Sequence, residues 1–182
     1  MIYKPAEDSV FFAEFLKEYI QKLEDKNITY LDMGCGSGIL SKTVLDCGCA
    51  SKNIFAGDID QESVDYVKEK ILNIKVIKSD LFENPELKDK KFDLISFNAP
   101  YLPEDSENQE PEDSKLATTG GPSGDEISLK FLKQAKAHLS PGGKILLLIS
   151  SLTPLERINK FRPKIVARKK LFFEELLILE IK

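Results

Sequence analysis

The sequence predicts an α/β fold: a mostly parallel sheet with helices on both faces. Three observations point to it. Short apolar runs alternate with segments of helical patterning along most of the chain. The runs are apolar at nearly every position, as strands covered on both faces require. The first run passes into a glycine-rich turn, "DMGCGSG" (32–38), that opens a helix.

Residues 8–24, "DSVFFAEFLKEYIQKLE", place Val10, Phe11, Phe12, Phe15, Leu16, Tyr19, Ile20 and Leu23 at helical spacing, with Asp8 or Ser9 as the expected cap. "ITYLDM" (28–33) reads as a buried strand, and "GILSKTVLDCG" (38–48) as a helix stopped by glycine. A strand (53–59), a helix (61–73), a strand (74–80) and a fourth strand, "KFDLISF" (91–97), follow. Residues 102–124 form a polar, acidic loop, and loops of this length are often functional. "DEISLKFLKQAKAHL" (125–139) is an amphipathic helix, and "PGG" turns the chain into the strand "KILLLIS" (144–150). "TPLERINKF" is read as a short helix, and "KIVARKKL" and "FEELLILEI" as a closing antiparallel pair.

The 182 residues fit one domain, and 42% hydrophobic with 31% charged residues is a globular composition. No run approaches the roughly 20 apolar residues of a membrane span. "MIYKPAEDSV" lacks the basic-then-apolar pattern of a signal peptide, and three cysteines give no disulfide framework, so a cytoplasmic setting is expected. "CGC" (47–49) is read as small residues ending a helix. A zinc site needs about four ligands, and the single histidine, His138, is remote in sequence. His138 reads as a last-turn helix residue, not a catalytic one. A net charge of −4 disfavours a partner held by phosphate contacts. Charge is also uneven: "PEDSENQEPEDS" (103–114) is acidic and "FRPKIVARKK" (161–170) basic, which leaves a basic protein partner open.

Ligands of parallel sheets bind outside the carboxyl ends of the strands. That rule gathers Asp32, Asp58, Asp80 and Asn98, each at or near the end of a successive strand. Gly34, Gly36 and Gly38 follow the first strand as G-x-G-x-G; the dinucleotide fingerprint would need glycine where Ile39 stands. A glycine turn alone is also an ordinary strand-to-helix connection. Asp58 falls where a carboxylate accepts both ribose hydroxyls, and Asp80, with Leu81 beside it, where one accepts an adenine amino group. Together these describe an adenosine-containing cofactor.

"FNAPY" (97–101) ends the fourth strand on an asparagine, a rigid proline and an aromatic ring. A planar NH2 group is a poor nucleophile because its lone pair is delocalised. Two acceptors beneath its hydrogens, the Asn98 side-chain oxygen and the Ala99 carbonyl, would draw that lone pair back, and Tyr101 could stack on the flat group. No histidine base is needed. The tetrapeptide by itself fits an Asn-X-Pro turn with a partly buried tyrosine equally well.

"DMGCGSG", "GDID", "SDLF" and "NAPY", in this order and spacing, resemble a Rossmann-like class I S-adenosylmethionine-dependent methyltransferase of the amino-methylating type, whose signature is Asn-Pro-Pro-Tyr. "YKPAEDS" (3–9) and "TTGGPSGDEI" (118–127) narrow the resemblance to the HemK/PrmC-like enzymes, in their short archaeal and eukaryotic branch. The resemblance covers nearly the whole chain. It implies a seven-stranded sheet with an antiparallel C-terminal strand, and a single domain over 1–182. In that domain a helical segment (1–26) caps the cofactor site and the 102–124 loop lies on the substrate side.

The implied activity is methylation, by S-adenosylmethionine, of the glutamine side-chain amide in the Gly-Gly-Gln motif of a peptide-chain release factor. The implied cofactor residues are Ser9, Asp32, Gly34, Gly36 and Gly38, with Asp58 and Ile59 at the ribose, Asp80 and Leu81 at the adenine, and Asn98. Asn98, Ala99, Pro100 and Tyr101 would hold the glutamine amide. A small zinc-ribbon activator protein, covering an apolar sheet edge, is the implied partner beside the release factor.

Ala99 departs from the family's first proline. The carbonyl is kept; what is lost is loop rigidity, worth about 0.4–1 kcal/mol. The short 151–161 segment departs from the longer helix common in the family, which bears on the far sheet edge. An adenine-N6 methyltransferase of nucleic acid would use the same chemistry, but the acidic loop beside the site would repel phosphates. A non-catalytic cofactor-binding subunit has only Ala99 in its favour, and a nicotinamide dehydrogenase lacks the third fingerprint glycine.

Overall fold

The computed structural model describes residues 6–104 and 118–182. Most of the acidic loop, and Tyr3, Lys4 and Pro5 of the N-terminal motif, lie outside the described residues. Helix α1 (Glu7–Gln21) leads into β1 (Tyr30–Met33), α2 (Ile39–Asp46), β2 (Ile54–Asp58), α3 (Gln61–Lys70), β3 (Lys75–Lys78) and β4 (Phe92–Asn98). Then come α4 (Glu126–Ala135), β5 (Leu139–Ser150), the one-turn α5 (Leu155–Ile158) and the hairpin β6 (Lys164–Lys170) and β7 (Glu175–Ile181).

The seven strands stand in the order β3-β2-β1-β4-β5-β7-β6. The first five are parallel, and β7 runs antiparallel to both β5 and β6. Strand order reverses between β1 and β4, the place where such sheets open a crevice at the carboxyl ends. The near-continuous apolar runs follow from burial on two faces. In β5, Ile145, Leu147 and Ile149 pack with Leu31, Phe97 and Phe131 of α4 on one side. Leu146 and Leu148 pack with Phe12, Leu16 and Ile20 of α1 on the other, alongside Leu40 and Val44 of α2. Period-2 alternation thus sends every second residue to a different core. No helix among the described residues is long and apolar enough to cross a membrane.

Two local expectations are corrected. Helix α1 begins at Glu7 with Ala6 at its N-cap and no side-chain cap, so neither Asp8 nor Ser9 caps it. Both sit buried inside the first turn. Strand β5 also begins earlier than 144. Leu139 already pairs with Phe92, the next pair is Leu94 with Lys144, and "SPGG" bulges out between them. His138 ends a short 3-10 turn after α4, buried, with its ring stacked on Phe82 at 4.3 Å and Nδ1 3.1 Å from the Lys90 carbonyl, a structural setting. Cys47 is the C-cap of α2, where Gly48 turns the chain at φ +93°, and all three cysteines are free thiols.

Candidate active site

A cavity of about 420 Å³ opens at the carboxyl ends of β1, β2, β3 and β4. Its floor is the turn from β1 into α2. An added Cβ at Gly34 would lie 2.7 Å from the Phe97 ring, and one at Gly38 2.7 Å from Ile71, so side chains there collide with packed apolar groups. Gly36 differs. At φ +47° an added Cβ would meet nothing within 4 Å, so this glycine turns its backbone toward the open cavity. That is the place where a ligand can approach the main chain.

The Asp32 carboxylate stands beneath this turn, fully buried. Its Oδ2 accepts from the Ser41 amide at 2.9 Å and the Ser41 hydroxyl at 2.7 Å. Gly38, the N-cap of α2, has no side chain, so a carboxylate from β1 satisfies a helix-start N–H in its place. Asp32 Oδ1 is buried with no hydrogen-bond partner among the described residues. Burial raises the Asp32 pKa to about 7 against the opposing pull of the Ser41 bonds. At the end of β2, Asp58 accepts from Gly36 N at 2.8 Å and Asp60 N at 2.9 Å. Burial raises its pKa as well, with those amides pulling it back. Ile59 beside it is 47% exposed at the rim.

Beyond β3, Asp80 lines the same cavity, and its Oδ2 pairs with Lys130 of α4 at 2.7 Å. Lys130 also reaches Glu83 at 3.1 Å. Leu81 takes φ +50°, a conformation uncommon for a leucine, and its carbonyl accepts from Ser79 Oγ at 2.6 Å. The turn thereby holds a buried leucine against the cavity.

At the tip of β4, Asn98 Nδ2 donates to Asp8 Oδ2 and to Ser9 Oγ, both at 3.2 Å. Ser9 is tied to Asp8 in turn, its amide donating to Asp8 Oδ1 at 2.6 Å. An ionised carboxylate only accepts, so Asp8 dictates which end of the amide faces it. Asn98 Oδ1 is left buried without a partner among the described residues. Ala99 is buried in the core, and Pro100 and Tyr101, each half-buried, line the cavity next to it.

This loop is strapped from outside by residues 118–127. Leu102 N donates to Thr118 O at 2.9 Å, Gly120 N to Leu102 O at 2.8 Å, and Glu104 N to Gly121 O at 3.1 Å. The contact is backbone on backbone. A Cβ on Gly120 would lie 2.6 Å from Pro100 O, and one on Gly124 would lie 2.5 Å from Tyr101 O. The Glu126 carboxylate accepts from Ser123 N at 3.0 Å, and Arg157 pairs with buried Asp125 at 3.2 Å, fixing the strap to the start of α4.

Residues 31–110 match the family described as "Methyltransferase domain". A Methanocaldococcus jannaschii protein, provisionally named a protein N5-glutamine methyltransferase, is 36% identical over 98% of this chain and 90% of its own. The chain belongs to the HemK/PrmC-like methyltransferase family. The Schizosaccharomyces pombe "eRF1 methyltransferase catalytic subunit" is 27% identical over 90% of this chain and 78% of its own. Among solved structures, the ribosomal protein L11 methylase of Lactobacillus delbrueckii subsp. bulgaricus superposes with a TM-score of 0.67. It is 22% identical over 98% of this chain and 81% of its own, a likeness of fold alone.

In this HemK/PrmC-like chain every residue singled out from sequence for the cofactor or the acceptor lines one cavity, except Gly38, which packs beneath it against α3. Asp8, Ser41, Lys130 and the strap glycines were not given these contacts by sequence reasoning. Their partners lie 90, 9 and 50 residues away for the first three. The signal that could have found Asp8 was its place inside "YKPAEDS", a motif quoted for its serine.

The strap carries a prediction for the methyltransferase. Gly124→Ala places a Cβ on the Tyr101 carbonyl at φ +83°, whereas Gly142→Ala has the same left-handed strain, φ +81°, with nothing within 4 Å. Gly142→Ala should cost about 1–2 kcal/mol of stability from left-handed strain alone, and Gly124→Ala more than that, because its Cβ also collides with backbone. Only Gly124→Ala should also lower kcat, because only it pushes the loop carrying Asn98. Thermal melts paired with initial rates check this.

Proposed function

We propose that this protein transfers a methyl group from S-adenosylmethionine to the side-chain amide nitrogen of glutamine in the Gly-Gly-Gln segment of a peptide-chain release factor. The observation that carries the reading is the fixed orientation of Asn98: its nitrogen is held by Asp8 and Ser9, and its oxygen is buried and unpartnered among the described residues at the cavity. An acceptor preorganised in this way suits a group that offers N–H.

The residues present fit the cofactor. Asp32 Oδ1 is a buried carboxylate oxygen lacking a partner among the described residues, which suits an ammonium group. Asp58 keeps one backbone bond on each oxygen and has lone pairs left for two ribose hydroxyls. Leu81 offers an apolar surface for a purine, and Asp80 an acceptor that Lys130 holds in place. S-adenosylmethionine, when bound, supplies a methyl on a sulfonium, an electrophile needing no further activation.

On the acceptor side, Asn98 Oδ1 and the Ala99 carbonyl each take one hydrogen of the glutamine NH2, which localises the nitrogen lone pair. As the nitrogen gains positive charge, the same two oxygens stabilise it; the N–C bond would form as the methyl's bond to sulfur breaks, and the proton would then pass to solvent. Tyr101 holds the amide plane. The missing proline at 99 is offset by the strap, which fixes this loop by hydrogen bonds from another segment.

The proposal includes the small zinc-ribbon activator. The edge it would cover is that of β3, where Val76 is half-buried and Leu72 is 68% exposed. A cytoplasmic setting accords with a release-factor acceptor. The test is mass spectrometry of a Gly-Gly-Gln peptide and of an adenine-containing oligonucleotide after incubation with S-adenosylmethionine, with the chain alone and with the activator. One added methyl on the glutamine is expected. Methylation of adenine only, or of neither, rejects the reading.

A further inference from the structure

The β6–β7 hairpin ends in two adjacent phenylalanines, Phe172 and Phe173, which are 91% and 86% exposed. Their rings meet edge to face at 4.6 Å, and Leu152, in the loop after β5, is 57% exposed. That loop is tied to the start of β7, next to the turn, by Ser151 N to Glu175 O at 2.7 Å and Glu175 N to Ser151 Oγ at 2.9 Å. Leaving two such rings in water forfeits the apolar burial that would otherwise stabilise them. Aromatic pairs of this kind are characteristic anchors of protein interfaces.

The topology says which rim they stand on. Asn98 pairs with Leu148, and Leu148 with Ile178, so β4 and β7 are two strand spacings apart, about 10 Å. Because β7 is antiparallel, its start at Glu175 lies three residues beyond Ile178, about 10 Å past the level of Asn98. The hairpin tip therefore projects above the same carboxyl-end rim that carries the cavity. The outgoing strand brings Arg168, Lys169 and Lys170 to the tip, and among the described residues only Arg168 has an acidic partner there, Glu175 at 2.9 Å.

We infer that this tip is a docking site for the folded body of the acceptor protein, through an apolar patch flanked by acidic side chains. The inference rests on the glutamine-methylating reading above. A cavity of about 420 Å³ that must also take the cofactor admits one acceptor side chain, so the rest of a protein acceptor lies against the rim. Among the described residues the two rings are the most exposed large apolar side chains, and Lys169 and Lys170 fix the sign of the charge beside them. The tip thus recognises the acceptor as a protein, independently of the glutamine.

The test compares two substrates of the same enzyme, run in whichever form, alone or with the activator, methylates more. Phe172→Ser/Phe173→Ser should raise KM for an intact release factor by about tenfold or more. Its kcat/KM for a short Gly-Gly-Gln peptide and its melting temperature should match the wild type. Equal losses on both substrates, or no loss on the intact factor, overturn the docking site and leave the activity standing. A wild-type dimer that the variant converts to monomer also overturns it, since the tip would then serve self-association. If the wild type methylates neither substrate, the glutamine reading itself has failed, and the docking site with it.

Discussion

Replacing Asn98 with alanine should lower kcat by about 10²–10³-fold, the cost of removing one preorganised polar group aimed at transition-state charge. The dissociation constant for S-adenosylmethionine should stay close to that of the wild type. Asp32, Asp58 and the Gly36 backbone are untouched by the change, and they line the side of the cavity proposed for the cofactor. Titration calorimetry beside single-turnover rates separates the two effects; a parallel fall in both means Asn98 serves the cofactor instead. Asp8→Asn gives a graded companion. An amide at position 8 can present either oxygen or nitrogen to Asn98, so the orientation is no longer dictated. The loss should be about 10- to 150-fold, the rate equivalent of a charge-assisted hydrogen bond of about 1.5–3 kcal/mol.

Cofactor affinity should fall as pH drops below neutrality. Asp32 is held at a pKa of about 7 by burial, and its unpartnered oxygen suits a cation. Binding a positively charged ligand favours the carboxylate, so the pKa falls in the complex and the ligand must displace a proton below pH 7. The dissociation constant should then weaken by about tenfold per pH unit from 7 toward 5. Asp32→Asn should bind weakly at every pH and lose most of this slope. The Asp58 carboxyl, also raised by burial, adds a second step that the variant retains.

Stability of the free protein runs in the opposite sense. Because the folded pKa exceeds the ordinary carboxyl value of 3.8, Asp32 contributes stability that is full below that value and is lost as pH rises to about 7. Asp32→Asn should therefore raise the melting temperature at pH 8 and give no gain near pH 4. An unchanged melting temperature at pH 8 would show that the carboxylate is not strained by burial.

What was legible in the sequence is what local pattern records. Runs such as "KILLLIS" are apolar at every position because β5 sits between two cores, and that density marked the strand. The polar residues closing β2 and β4 stood out for the opposite reason, since Asp58 and Asn98 interrupt such runs at a fixed end. Asp32 was placed at the rim too, although it is the third of four residues in β1 and its carboxylate is wholly buried. The bulge at "SPGG" was hidden because glycine and proline mark a turn whether or not pairing resumes around it. Contacts between distant segments leave no periodicity. The Asp8–Asn98 bond, the Asp80–Lys130 pair and the glycine strap join stretches whose closeness only the sheet order creates.

A crystal structure with the demethylated cofactor and a Gly-Gly-Gln peptide bound measures the decisive contact directly. The expected result places the glutamine Nε2 within about 2.7–3.2 Å of both the Asn98 side-chain oxygen and the Ala99 carbonyl, with Asn98 Nδ2 still on Asp8. A glutamine nitrogen remote from both oxygens, or an Asn98 amide turned so that its own nitrogen faces the substrate, contradicts it.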